Sequence, residues 1–291
     1  MNDGASSARI RLIIAMTIFG TIGIFREFIP FPSSVIAFIR GFIGMVFLLA
    51  VIAIKREKIN FAAIKKNLAL LLISGALIGL NWILLFEAYR YTTVATATLC
   101  YYMAPVFVII VSPFILKEKL NARKILCALA AILGMVMISG VFTGGGADAR
   151  GVIFGLGAAV LYATVIILNK FISGVSDYEK TVIQLGMAAF AALPYALLTE
   201  DITALKITPI ILLLLVVVGI LHTGVAYTLY FGSIEKIKAQ TAAIFGYIDP
   251  VVALVLSAVI LKEEFTWLHF LGSLMILGAA VIIELPSKNK K

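Results

Sequence analysis

Ten apolar runs follow one another along this chain, each close to the roughly 20 residues that carry a helix across about 30 Å of hydrocarbon. They cover residues 11–29, 34–54, 67–89, 95–116, 124–142, 152–172, 179–199, 210–231, 239–261 and 267–285, with only short polar joints between them. Lipid offers no partner for backbone N–H and C=O groups, so runs of this length are predicted to be helices. The strands of membrane barrels are shorter and alternate in character. Composition agrees: 62% hydrophobic against 13% charged residues, with a mean hydropathy of +1.11, is more apolar surface than a soluble core of 291 residues can enclose. No soluble domain fits between the runs. The first run follows Arg9 and Arg11 but shows no convincing small-residue cleavage site, so it is read as a retained helix and not as a signal peptide. The least regular runs are 179–199, with Gln184 and Pro194, and 34–54, with Arg40.

A net charge of +9 would suggest nucleic acid if the chain were soluble; here the positions of the charges decide otherwise. With a cytoplasmic N-terminus, 18 of the 24 Lys and Arg residues fall on the inner side, five on the outer side, and Arg40 lies within a run. This bias follows the positive-inside rule. The expectation is a multi-pass protein of a bacterial or archaeal inner membrane, with both termini cytoplasmic and no nucleic-acid partner. Cys100 and Cys127 both fall inside runs, where small buried hydrophobes are expected and no disulfide framework is.

The chain also repeats itself. Between Tyr102 and Glu118, eight of 17 positions match their counterparts in Tyr247 to Glu263, 145 residues on. "GLNWILLF" (Gly79 to Phe86) meets "GVAYTLYF" (Gly224 to Phe231) at the same offset, and "ILGMVMI" meets "ILGAAVI" at 144. Each half then holds five spans, residues 1–145 and 146–291, linked through the Gly-rich "TGGGADARG". An odd number of spans sends the second half into the membrane from the opposite side, so the fold predicted is all-α, with ten transmembrane helices as two inverted five-helix repeats. "KEKL" would be cytoplasmic and its twin "KEEF" outside.

Two five-helix halves, each with an apolar helix that carries a mid-span proline and ends in "ILKEK" or "ILKEE", resemble the EamA-type branch of the drug/metabolite transporter superfamily. Arg40 in "FIRGF" and the pairs Phe19-Gly20 and Tyr162-Ala163 suit that resemblance, which covers essentially the whole chain. Lys117 and Lys262 stand where the family usually has glycine before the Glu. The resemblance implies a secondary transporter of small metabolites, with a central cavity lined by the first, third and fourth helices of each half. It leaves the solute open.

Pro105 and Pro250 fall near the middle of the fourth and ninth spans, where each removes a backbone hydrogen bond and crowds the carbonyl of Tyr101 or Gly246. Matched interruptions in the two halves of a transporter mark a binding site near the midplane; the alternative is two simple kinks in packed helices. Polar and aromatic residues gather nearby: Asn81 and Trp82, Tyr101 and Tyr102, Tyr162 and Asn169, His222, Tyr227 and Tyr230, and Tyr247. Rings with a polar tip suit a pocket for a small solute, although any one of them could serve packing instead. Asp249 is the deepest acid. A carboxylate there costs about 2.5–3.5 kcal/mol on insertion scales and needs a partner, water or a proton, which makes it a candidate for coupling; a bond to nearby backbone is the alternative. His222 reads either as a proton carrier or as a satisfied core residue. Arg40, Arg26, Glu27 and Glu87 are read as snorkelling towards the outer ends, with an Arg40–Glu87 latch as the less favoured reading. Glu118 and Glu263 are expected to cap or tether the next helix, and "GALIG" (Gly75 to Gly79) to serve either internal packing or a homodimer face.

No "HExxH", "GxSxG" or Cys/His cluster occurs, so no metal or cofactor is expected and an intramembrane enzyme is disfavoured. The reading favoured is an exporter of amino acids or related amphipathic metabolites, with proton coupling through Asp249; its partners are a small-molecule substrate and the bilayer. Import of a small organic cation and a hydroxyl-lined channel are the alternatives.

Overall fold

The computed structural model describes residues 3–57, 59–117, 122–138, 148–234 and 245–284. Glu118, most of "KEKL", the Gly-rich joint up to Ala147, Lys236, Lys238 and the C-terminal lysines lie outside the described residues. All regular structure among the described residues is helical. Seven stretches are long and apolar enough to cross a bilayer: Ser6–Glu27, Ser33–Lys55, Leu68–Tyr91, Val94–Ile115, Ala149–Asn169, Asp177–Thr199 and Pro209–Ser233. The other three predicted spans are represented by Ala122–Ile138, Ile248–Val259 and Trp267–Glu284. The protein is thus an all-α, multi-pass membrane protein of ten transmembrane helices in two inverted repeats. Its outer surface carries large apolar side chains such as Ile54, Phe114 and Leu198, each more than 80% exposed, as a lipid-facing surface requires.

Helix ends follow local chemistry. Ser176 and Glu179 form a reciprocal capping box at the seventh helix, Thr208 accepts from the Ile211 N–H ahead of Pro209 in the eighth, and Thr93 accepts from the Thr96 N–H in the fourth. Pro194 sits inside the seventh helix without ending it.

The packing is symmetric under exchange of the halves. The third helix packs on the sixth and the eighth on the first; the seventh packs on the third and the second on the eighth; the fourth packs on the sixth and the ninth on the first. The second and seventh, fourth and ninth, and fifth and tenth pair with their own counterparts. Lipid supplies no hydrophobic drive between helices, so close approach must come from small residues. At the crossing of the third and seventh helices, a Cβ on Gly79 would lie 2.5 Å from the Ala188 carbonyl oxygen and one on Gly75 2.8 Å from that of Gln184. The small residues of "GALIG" therefore serve contacts within the protomer. The repeat is visible in the backbone too: Lys117 and Lys262 adopt φ of 55° and 56°, the left-handed conformation that favours glycine.

Candidate functional site

Both predicted interruptions are present as turns in the helix. The fourth span turns at Tyr102 and Met103 between the helices Val94–Tyr101 and Ala104–Ile115, and Pro105 falls in the first turn of the second piece, where its missing N–H has no helical partner to lose. In the ninth span the turn falls at Tyr247, ahead of Ile248–Val259, with Pro250 again in the first turn. The two turns face each other: the Tyr102 and Tyr247 rings, counterparts in the repeat, have centroids 6.3 Å apart. Tyr101 lies edge-on to Tyr102 at 6.1 Å and stacks on Tyr162 at 5.1 Å, so four tyrosines run from the sixth span to the ninth. Tyr227 meets Phe19 at 5.2 Å and stacks on Phe231 at 5.8 Å, and Tyr230 leans on the same Phe231.

These residues lie among the helices yet remain accessible. Tyr101, Tyr102, Tyr227, Tyr230, Tyr247 and Asp249 are all half-buried, and Tyr162 keeps 39% of its surface exposed. Rings that touch across the fourth, sixth and ninth spans without sealing one another border an open space. The Asp249 carboxyl lies within electrostatic reach of both Tyr102 and Arg40. The first span presses against this break: a Cβ on Gly20 would stand 2.5 Å from the Asp249 carbonyl oxygen.

Arg40 does not snorkel. It is only 6% exposed, donates from Nε to the Thr223 hydroxyl at 3.0 Å, and lays its guanidinium 4.1 Å from the Trp82 ring centre, with Phe86 beyond. The second helix begins at Ser33, which sets Arg40 about 10 Å of helix rise inside the span, too far in to be an end residue. Glu87 bonds to Arg90, at 3.1 and 3.2 Å, and forms no latch with Arg40. Arg26, read with it as snorkelling, is 7% exposed and folds back onto the Ile29 carbonyl. In the sequence, the sign that Arg40 turns inward is the glycine one helical turn on: a Cβ on Gly44 would lie 2.3 Å from the Thr223 methyl carbon, so the face shared by Arg40 and Gly44 is covered by the eighth span.

Three residues expected in the cavity lie elsewhere. Asn81 is 2% exposed and donates to the Ala158 carbonyl, and Asn169 accepts from Gln184, which also donates to Ser74; these bonds tie the third, sixth and seventh helices together. His222 is fully buried in a π-helical segment, Ile220–Val225, that interrupts the eighth span. Its Nε2 meets the Thr21 hydroxyl at 2.8 Å and its ring stands edge-on to Phe25 at 4.7 Å. Thr21 marks a break in the first span. The interruptions at Thr21 and Ile220–Val225 have no counterparts in the sixth and third helices, and they meet each other through this histidine. Neither is marked by a proline; Gly20 and Gly23 flank the first, Gly219 and Gly224 accompany the second, and glycines are too common in these spans to single them out.

Glu263 also departs from expectation. It caps the fourth span, in the opposite half, and not the helix that follows it: its carboxylate accepts from the N–H groups of Val94 at 2.7 Å and Ala95 at 3.2 Å. Among the described residues, no group of three or more His, Cys, Asp or Glu side chains is placed to hold a metal ion.

The sequence pattern of the EamA-like transporter family matches this chain twice, over residues 7–140 and 149–285. The chain is 30% identical to an uncharacterized transporter of Bacillus subtilis (strain 168), YxxF, over 98% of its own length and 92% of the relative's. It is 25% identical to an uncharacterized transporter of Archaeoglobus fulgidus, covering 93% of this chain and 94% of that one. A crystal structure with 19% sequence identity superposes with a TM-score of 0.68 over 96% of both chains, a likeness of fold.

Proposed function

Because this chain belongs to the EamA-like transporter family, we propose that it moves a small metabolite by alternating access around the paired breaks, as a proton-coupled exporter of amino acids or related amphipathic molecules. The observation that carries this reading is Asp249: a half-buried carboxyl at the start of the ninth span's second piece, within electrostatic reach of Tyr102 in the opposing break and of Arg40. A carboxyl at that depth is stable when it holds a proton or an opposite charge. A site that opens to one side and then the other can therefore exchange the proton for a cationic group of the solute. The tyrosines supply apolar faces with hydroxyl tips, which hold a small amphipathic solute without trapping it.

Purified protein in proteoliposomes, loaded with a mixture of labelled amino acids, tests the reading. The wild type is expected to show saturable counterflow, and accumulation driven by a pH difference alone. Asp249→Asn keeps the size of the side chain but cannot release a proton, so counterflow should persist while pH-driven accumulation disappears. Accumulation by that variant against a gradient would remove Asp249 from coupling; flux that does not saturate would favour a channel.

A further inference from the structure

A guanidinium carries five N–H donors, no acceptor, and a charge it never gives up. Arg40 commits one of them, Nε, to Thr223; it makes no other hydrogen bond and has no carboxylate within ion-pairing distance among the described residues. Its terminal nitrogens are nevertheless not sealed in: the buried side-chain atoms without partners among the described residues belong to Arg26, Ser33, Ser34 and Thr92. The Nη1/Nη2 edge thus keeps accessible surface, and Tyr227, Tyr101, Tyr89, Asp249 and His222 lie within electrostatic reach of the guanidinium. Trp82 below the plane and Thr223 at Nε fix the orientation of that edge.

A buried cation without an ion partner costs several kcal/mol, and a planar guanidinium with one free edge matches the two oxygens of a carboxylate. We propose that Arg40 is the carboxylate-binding residue of the cavity, so that the solute is a carboxylate-bearing molecule held by two charge-assisted hydrogen bonds on the face of Trp82. A single cation with Asp249 in electrostatic reach suits a monoanion, above all a zwitterion whose ammonium group turns towards Asp249; it does not suit a phosphate dianion, which Asp249 would repel. This inference rests on the transporter reading only in taking the open space as the solute's site.

Trp82 is a built-in reporter. The chain has two tryptophans, and Trp267 is 70% exposed at a helix end, so Trp267→Phe leaves Trp82 alone beneath the guanidinium. In that background, tryptophan emission is titrated in detergent with matched pairs, each amino acid against its carboxamide, across aliphatic, aromatic and polar side chains, together with short-chain carboxylates and inorganic phosphate. At least one acid should shift the emission saturably, with its amide about tenfold to a hundredfold weaker and phosphate no better than the amide. Arg40→Gln should abolish the preference for the acid. Arg40→Lys, which keeps the charge but loses the fork, should retain the preference with affinity reduced about tenfold, and it decides the matter if Arg40→Gln does not fold. Silence of every carboxylate, equal binding of acid and amide, a preference that survives Arg40→Gln, or wild-type affinity in Arg40→Lys would each overturn the assignment. Counterflow on the same preparation separates the two readings. Transport of amides with silent carboxylates refutes the role of Arg40 alone, whereas carboxylate binding without counterflow refutes the transporter reading alone.

Discussion

Glu263 joins the two halves of the protein at one helix start, and its removal has a calculable effect. The fourth span begins at Val94, and its first N–H groups have no helical acceptor. Thr93 takes the Thr96 N–H, while Glu263 takes those of Val94 and Ala95, residues only 1% and 3% exposed. Each bond to a charged acceptor contributes about 1.5–3 kcal/mol, and an orphaned, shielded donor cannot turn to water instead. Glu263→Ala should therefore destabilise by about 2–4 kcal/mol after partial relaxation, and Glu263→Gln, which keeps one acceptor oxygen but no charge, by about half as much. For a chain of this size that corresponds to a fall of roughly 3–7 °C in the melting midpoint for Glu263→Ala. The assay is thermal unfolding in detergent followed by tryptophan emission, with the exposed neighbour Glu264→Ala as control. A midpoint for Glu263→Ala equal to that of Glu264→Ala would refute the capping argument. Equal losses in the Ala and Gln variants would refute the part assigned to the remaining oxygen.

Two further outcomes are expected. Lys262→Gly, and separately Lys117→Gly, should raise stability by about 0.5–1 kcal/mol, because a left-handed lysine costs about 1–2 kcal/mol and glycine returns part of that as unfolded-chain entropy; a loss of stability in the same melting assay would show that the lysine side chains matter more than their backbone. For orientation, a cysteine at the exposed Ala149 should react with a membrane-impermeant maleimide in intact cells while one at the exposed Ala62 does not, against the silent background of buried Cys100 and Cys127; the reverse pattern would invert the topology.

Ten apolar runs and a 145-residue echo were enough to give the helical class, the number of spans and the paired breaks at Pro105 and Pro250, since each of these follows from local covalent or solvation constraints. A run of about 20 apolar residues has one way to satisfy its backbone in lipid, and a proline interrupts a helix wherever it falls within one. The tyrosines around the breaks were legible for the same reason, being close in sequence to the prolines or to their repeat partners.

What each polar side chain does was decided only by packing. Asn81, Asn169 and His222 look like cavity residues in the sequence, yet each has found a partner on another span, and Arg40, which looks like an end residue, turns inward onto Trp82 and Thr223. Whether a polar group in a membrane helix faces a neighbour or a cavity depends on how far the helix is rotated about its axis. That rotation is set by contacts such as Gly41 against Leu185 and Gly79 against Ala188, between residues more than 100 positions apart. Hydropathy measures how apolar a segment is and carries no information on that angle, so the sequence by itself determined which segments cross the membrane and where prolines interrupt them, and the tertiary structure alone decided which polar side chains meet one another inside the bundle.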